Sequence, residues 1–195
     1  KDLLNFSRPS EQSFAVVDLN EVLADNIKLL KEVKLESDIR IIKEFSKNPI
    51  RVRLNTGKFE QVFFNIAINA SDEMPSGGRI FVRTYIQEYI QKGAQTGFRD
   101  SSQFVVGEKP AVLEIQDEGK GIPEEHLTKI FDPFFTTKHR KENAGLGLSI
   151  CRRIVDAHKG EIEIKSMPGK GTIVVVKLPV FEEKKEKSIF PYHDL

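Results

Sequence analysis

Three short segments of this chain carry residues whose types and spacing suit chemistry. The first is Asn65-Ile66-Ala67-Ile68-Asn69-Ala70, with two carboxamides one helical turn apart. The second is Asp117-Glu118-Gly119-Lys120-Gly121-Ile122-Pro123, an acidic residue followed by alternating glycines. The third is Gly145-Leu146-Gly147-Leu148, a glycine pair that opens an apolar helical pattern. An amide oxygen completes a Mg²⁺ shell, a carboxylate accepts from an exocyclic amine, and a glycine-rich helix start turns its N–H groups toward phosphates. In this order and at this spacing the three describe a purine-nucleotide pocket.

Such groups need elements to hold them. The segment at about 58–74 places Phe59, Val62, Phe63, Ile66 and Ala70 on one helical face, with Asn55 or Thr56 as its cap. Asn65, Asn69 and Asp72 follow at steps of four and three, so they share a polar edge beside that face. Pro75-Ser76-Gly77-Gly78 is a turn, and two strands at about 79–85 and 111–116 end in the Asp117 segment. Between them, about 87–109 is polar and reads as a hairpin with a long tip. A short helix at about 124–130 precedes a basic stretch without periodicity, Phe131 to Asn143. The helix at about 146–158 ends near Gly160, and strands at about 161–166 and 172–178 flank a Met-Pro-Gly-Lys-Gly turn.

Upstream, Leu3 to Pro9 reads as a helix end and residues 10–18 as a linker. A helix at about 20–33 is capped by Asp18 or Asn20, and strands lie at about 39–45 and 51–54. This order of helices and strands predicts an α/β two-layer sandwich, one mixed and mostly antiparallel sheet with helices on one face.

The charge is balanced, 30 basic against 29 acidic residues, so no global field favours nucleic acid. The lone Cys151 excludes an intrachain disulfide and a cysteine-based zinc site, and its apolar setting predicts a buried structural thiol. No apolar run approaches the ~20 residues of a membrane span, so the segment is expected to be cytoplasmic without membrane contact, whether or not a longer parent is membrane-anchored. The chain begins at Lys1 without Met, as a piece of a longer protein would.

These segments resemble the motifs of sensor histidine kinases, the nitrogen-sensing type above all. NIAINASDEMPSGG resembles their N box, DEGKGIP the first glycine box, IFDPFFTTK the F box and GLGLSI the second glycine box. HKGEIEIKSMPGKGT resembles the closing strand pair, and LLNFSRP the end of a dimerisation helix. The resemblance implies the Bergerat ATP-binding fold, with 1–17 as helix end and linker, 18–180 as the catalytic domain and 181–195 as a charged tail. It implies ATP or ADP with Mg²⁺ as ligands. Asn69 matches the Mg²⁺-coordinating amide and Asn65 its partner near the phosphates. Asp117 matches the carboxylate that reads the adenine amino group, with Gly119, Gly121 and Ile122 close to the base. Phe131 to Asn143 matches the ATP lid, where Thr136, Thr137 and Lys138 are candidates for phosphate or ribose contacts. Gly145, Leu146, Gly147 and Leu148 match the turn and helix start under the phosphates. Asn65, Asn69 and Lys138 are the residues it marks for catalysis. Asp72 either touches the nucleotide or pairs with a neighbour, and Phe134 and Phe135 read as plugs that anchor the lid.

The departures are informative. The second glycine box of the family begins one glycine earlier, where this chain has Asn143, and the Asp usual before the N-box helix is Asn55. None of His126, His139, His158 and His193 is followed by the family's acceptor box. His158 reads as structural. The substrate histidine is therefore expected on an upstream dimerisation domain, with a response-regulator receiver domain as the further partner, a homodimeric parent and a monomeric fragment. A hydrolytic ATPase of the gyrase or chaperone type is the alternative. Its general base is a Glu where this chain has Asn65, an amide that cannot take a proton. A non-catalytic nucleotide-dependent regulator is the third reading.

Overall fold

The computed structural model describes residues 13–32, 38–89, 104–137 and 145–182. Lys138, Asn143, most of the 87–109 tip and the 183–195 tail lie outside the described residues, as does the LLNFSRP segment.

The described residues begin with β1 (Ala15–Asp18) and α1 (Leu19–Glu32), then β2 (Ile39–Glu44), β3 (Arg51–Leu54) and α2 (Thr56–Asp72). β4 (Gly78–Ile86), β5 (Ala111–Asp117) and the one-turn α3 (Glu124–Leu127) follow. α4 (Gly147–Ala157), β6 (Glu161–Ser166) and β7 (Thr172–Leu178) complete it. Five strands form one sheet in the order β2-β4-β5-β7-β6. Only β2 and β4 run parallel, and the other pairs are antiparallel.

Register explains the layering. Val82, Ile115 and Val174 stand in one row across β4, β5 and β7, and Thr84, Leu113 and Val176 in the next. The apolar members of these rows join Leu23 and Ile27 of α1, Phe59, Val62 and Phe63 of α2, and Cys151 and Val155 of α4 in a single core. The alternate residues, Arg83, Glu114 and Val175 among them, point to the opposite face because side chains alternate along a strand. One face of the sheet is thus covered by helices, as the sequence predicts.

Local signals set the helix ends. Asp18 Oδ1 accepts the Asn20 N–H at 3.0 Å and the Ile50 N–H at 3.1 Å, so Asp18 caps α1 and also ties it to the residue before β3. Asn55 Oδ1 accepts the Lys58 N–H at 3.1 Å and caps α2. The linker expected over 10–18 needs correction. Residues 15–18 form β1, antiparallel to β3 with Ala15 opposite Leu54. Its partner lies far along the chain, so the pairing left no local trace. The segment after β7 returns to the same place, where Phe181 N–H donates to the Arg51 carbonyl at 2.8 Å.

His158 joins two of the helices. Its ring Nε2 accepts the Asn55 N–H at 3.0 Å, while Nδ1 lies 2.7 Å from the Ile154 carbonyl. That pair of bonds assigns the Nδ1–H tautomer. Phe59 and Phe14 pack against the ring, with centroids at 6.3 and 4.8 Å. The side chain is buried and structural. His158→Phe should cost about 1–3 kcal/mol by removing the acceptor for a half-buried N–H and the buried Nδ1–H bond to Ile154. A urea titration that leaves the midpoint unmoved would refute this.

Candidate functional site

A cleft of about 650 Å³ opens between α2, α4, the end of β5 and the segment around α3. Asn65, Asn69, Asp117, Gly121, Ile122, Thr136, Thr137, Gly145, Leu146, Gly147 and Leu148 all line it. Eleven residues from four separate stretches of sequence therefore meet on one surface, which is the size of an ordinary small-ligand site.

Asp117 sits at one end, where β5 stops. It is 6% exposed. Oδ1 accepts the Gly119 N–H at 2.8 Å and the Thr172 N–H at 3.1 Å, which leaves Oδ2 outside both bonds. Burial pushes its carboxyl above the usual aspartate range, the two N–H donors oppose that, and the charge of nearby Glu73 adds to it.

The loop after Asp117 is held from below by the β6–β7 turn. Ser166 Oγ accepts the Ile122 N–H at 2.8 Å and donates to the Gly171 carbonyl at 2.9 Å. Gly169 N–H donates to the Lys120 carbonyl at 2.7 Å. Gly121 has φ +73°, and a Cβ there would overlap the Met167 carbonyl. Gly171 has φ +82°, and a Cβ there would overlap the backbone carbonyl of Asp117. Only glycine fits both positions.

The other end is built from α2 and the start of α4. Asn65 Nδ2 donates to the Gly147 carbonyl at 3.3 Å. A Cβ on Gly147 would lie 3.8 Å from the Asn65 carboxamide carbon and 3.9 Å from Asn69 Nδ2, so the bare glycine leaves room between the amides and the helix start. One turn below, Cys151 is fully buried and its Sγ donates to the Val62 carbonyl at 3.8 Å. Burial pushes its thiol up to about 12, against a lowering by Asn65, so it is the inert structural thiol the sequence predicts.

The first residues of the expected lid are clamped to this end. Phe134 N–H donates to the Gly145 carbonyl at 3.0 Å, and Gly145, at φ +66°, faces the Phe134 and Phe135 backbone. Phe135 lines the cleft and packs on His126 with ring centroids 5.6 Å apart. Phe134 is not a plug. Its ring is 73% exposed, because a φ of +67° turns the side chain outward.

Two expected ligand positions lie off the lining. Gly119 acts through its N–H on Asp117 rather than by facing the cleft. Asp72 does not line it, whereas Asn69 and Ala70 of the last turn of α2 and its C-cap Glu73 do. Lys138 lies outside the described residues. Glu73, Lys120, His126 and Thr172 line the cleft without having been singled out from the sequence. For Thr172 a signal existed, since it closes the Gly-Lys-Gly-Thr run that resembles the family's last strand pair.

Residues 55–182 match the family described as histidine kinase-, DNA gyrase B- and HSP90-like ATPases. The chain belongs to this family. The ATPase match spans every described wall of the cleft, from the α2 cap to the end of β7. The chain is 38% identical to the sensor kinase CckA of Brucella abortus over 95% of its own length and 19% of that protein. It is 31% identical to the sensory histidine kinase/phosphatase NtrB of Azospirillum brasilense over 93% of its length and 43% of that protein. It thus spans less than half of these curated relatives. The nucleotide-free catalytic domain of histidine kinase ThkA superposes with a TM-score of 0.65 at 27% identity, covering 86% of this chain and 95% of that one. ThkA in complex with the response regulator TrrA superposes at 0.63 with 26% identity, covering 88% and 43%. The fold and the ATP-binding catalytic domain of the histidine kinase kind are therefore established for this chain. No helix among the described residues is long and apolar enough to cross a membrane.

Proposed function

We propose that this cleft holds an adenine nucleotide with Mg²⁺ and presents the γ-phosphate to a histidine on a dimerisation domain elsewhere in a longer protein. The observation that carries this reading is the opposition of two unlike ends. The buried Asp117 carboxylate stands at one, and the Asn65 and Asn69 amides face the start of α4 at the other. Asp117 Oδ2 accepts from the adenine amino group, and Ile122 and the glycines around it lie against the base. The N–H groups at Gly147 and Leu148 face the phosphates, as a helix start favours anions.

Asn69 supplies the protein oxygen for Mg²⁺, with Asn65 beside it holding the α4 start in place. Among the described residues no cluster of three or more His, Cys, Asp or Glu could hold a metal by itself. When bound, the ion neutralises charge on the transferring phosphate. Thr136 and Thr137 face the same end, and Lys138 follows them in sequence. Asn65 lacks the basicity to activate water, so the site favours transfer over hydrolysis. By analogy with ThkA and TrrA, a response-regulator receiver domain takes the phosphate onward, and the segment works on the cytoplasmic side of the parent.

Calorimetry tests the pocket. The chain should bind ATP at micromolar to sub-millimolar Kd, about −5 to −8 kcal/mol, and prefer it clearly over GTP. Equal affinities would remove Asp117 as the reader of the base. The same assay has a pH signature. Base reading needs the ionised carboxylate, and the Asp117 carboxyl is raised, so affinity should fall as pH drops at values above the ordinary 3.8. Asp117→Asn should bind more weakly at neutral pH and lack that limb. Transfer is tested with labelled ATP. The chain alone should stay unlabelled, and a dimerisation domain supplied in trans should take the label slowly for want of a tether. Acid-labile phosphate on His126, His139, His158 or His193 would overturn this assignment.

A further inference from the structure

Glu73 and Lys120 make an ion pair at the base end of the cleft, Nζ to Oε2 at 3.0 Å, and both line it. The two partners are held differently. The Glu73 side chain is 21% exposed, and its N–H closes the end of α2 on the Asn69 carbonyl at 3.3 Å. Lys120 is 75% exposed at its side chain, but its backbone is pinned by Gly169.

Glu73 is also adjacent to Asp117. A Cβ on Gly119 would lie 2.9 Å from Asp117 Oδ1 and 2.8 Å from Glu73 Cβ, so the two acidic side chains flank one glycine. A cleft that reads one amino group has no evident need of a second carboxylate beside the first. Unrelieved, the two negative charges oppose each other. Lys120 offsets that repulsion and places a cation next to an anion on the same rim.

Adenine offers a partner for this arrangement. Its amine has two hydrogens, one beside N1 and one beside N7, and N7 is an acceptor. The edge opposite to the one read by Asp117 thus shows a donor followed by an acceptor. Glu73 and Lys120 show an acceptor followed by a donor. Guanine shows two acceptors, O6 and N7, along that edge and would set O6 against the Glu73 carboxylate.

We propose that the Glu73–Lys120 pair reads this second edge, with Glu73 accepting the N7-side amine hydrogen and Lys120 donating to N7. The proposal rests on Asp117 as the group that reads the first edge. It makes Glu73 and Lys120 specificity-determining residues, with Glu73 fixing the position of the Lys120 ammonium.

7-Deaza-ATP, in which N7 is a carbon, isolates the contact. Calorimetry on the whole chain should show ATP bound about three- to tenfold more tightly than 7-deaza-ATP, the range for one charge-assisted hydrogen bond partly open to water. Lys120→Met should reduce that ratio to about one by weakening ATP and leaving 7-deaza-ATP unchanged. Lys120 is exposed, so the variant should keep the wild-type thermal midpoint. Glu73→Gln retains an acceptor for the amine but releases the ammonium, and should also bring the ratio toward one while ATP binding persists. A wild-type ratio of one, or a ratio that survives Lys120→Met, would overturn the proposal while leaving Asp117 in place. A chain that binds neither nucleotide would overturn the nucleotide reading of the cleft, and this proposal with it.

Discussion

Asn69→Ala should lower Mg²⁺-dependent transfer to a supplied dimerisation domain by about a hundredfold or more, with the fold intact. The loss should be large because, in the proposed arrangement, a single protein oxygen would fix the ion. No acidic cluster among the described residues offers a substitute. The side chain is half-buried at the edge of α2 rather than in the core, which passes through Phe59, Val62, Phe63 and Ile66. Its backbone carbonyl, which accepts the Glu73 N–H, survives the substitution. The thermal midpoint should therefore stay close to wild type while phosphotransfer falls, and nucleotide binding without Mg²⁺ should persist through Asp117. A near wild-type transfer rate in the variant would show that Asn69 is not the metal ligand.

Gly171→Ala should damage stability and nucleotide binding together. A left-handed backbone costs a non-glycine residue about 1–2 kcal/mol, and forcing a methyl into packed backbone adds about 1–3 kcal/mol. The methyl would press on the Asp117 carbonyl, and the next residue, Thr172, donates to Asp117 Oδ1 at 3.1 Å. Relief of the clash must therefore displace a bond that orients the carboxylate. Gly169 supplies the control within the same turn. Its φ is +76°, but nothing lies within 4 Å of a Cβ placed there. Gly169→Ala should carry only the backbone cost, about 1–2 kcal/mol, and retain ATP binding. Chemical denaturation and calorimetry on both variants separate strain from clash. Equal losses in the two would show that the approach of Gly171 to Asp117 plays no part.

Much of the frame was legible because its signals are local. The apolar steps of 59, 62, 63 and 66 mark α2, and Asn55 caps it as its side chain allows. The strands expected at about 79–85, 111–116 and 172–178 are β4, β5 and β7, and the glycines at 121 and 145 stand where φ is positive. The three chemical segments could be grouped because their residue types suit one ligand. The tertiary structure decided which members line the cleft.

Other features depend on contacts between distant parts of the chain, and no periodicity encodes those. The four residues of β1 are too few to declare a strand without β3, which pairs Ala15 with Leu54. His158 reads as structural from the sequence, but its partner, the N–H of Asn55, comes from another helix and is seen only in the fold. Phe134 carries the composition of a plug, but its backbone is held at φ +67° by the bond to Gly145, which sends the ring to solvent. Glu73 and Lys120 are, in sequence, a helix-end acid and a loop base. They become a pair because α2 and the loop after β5 both end at the same rim of the cleft. The sequence by itself determined the elements and the chemical types available, since caps, alternation and glycine conformations act over a few residues. Only the tertiary structure decided the neighbours of each polar group, since those are set by where separate elements meet.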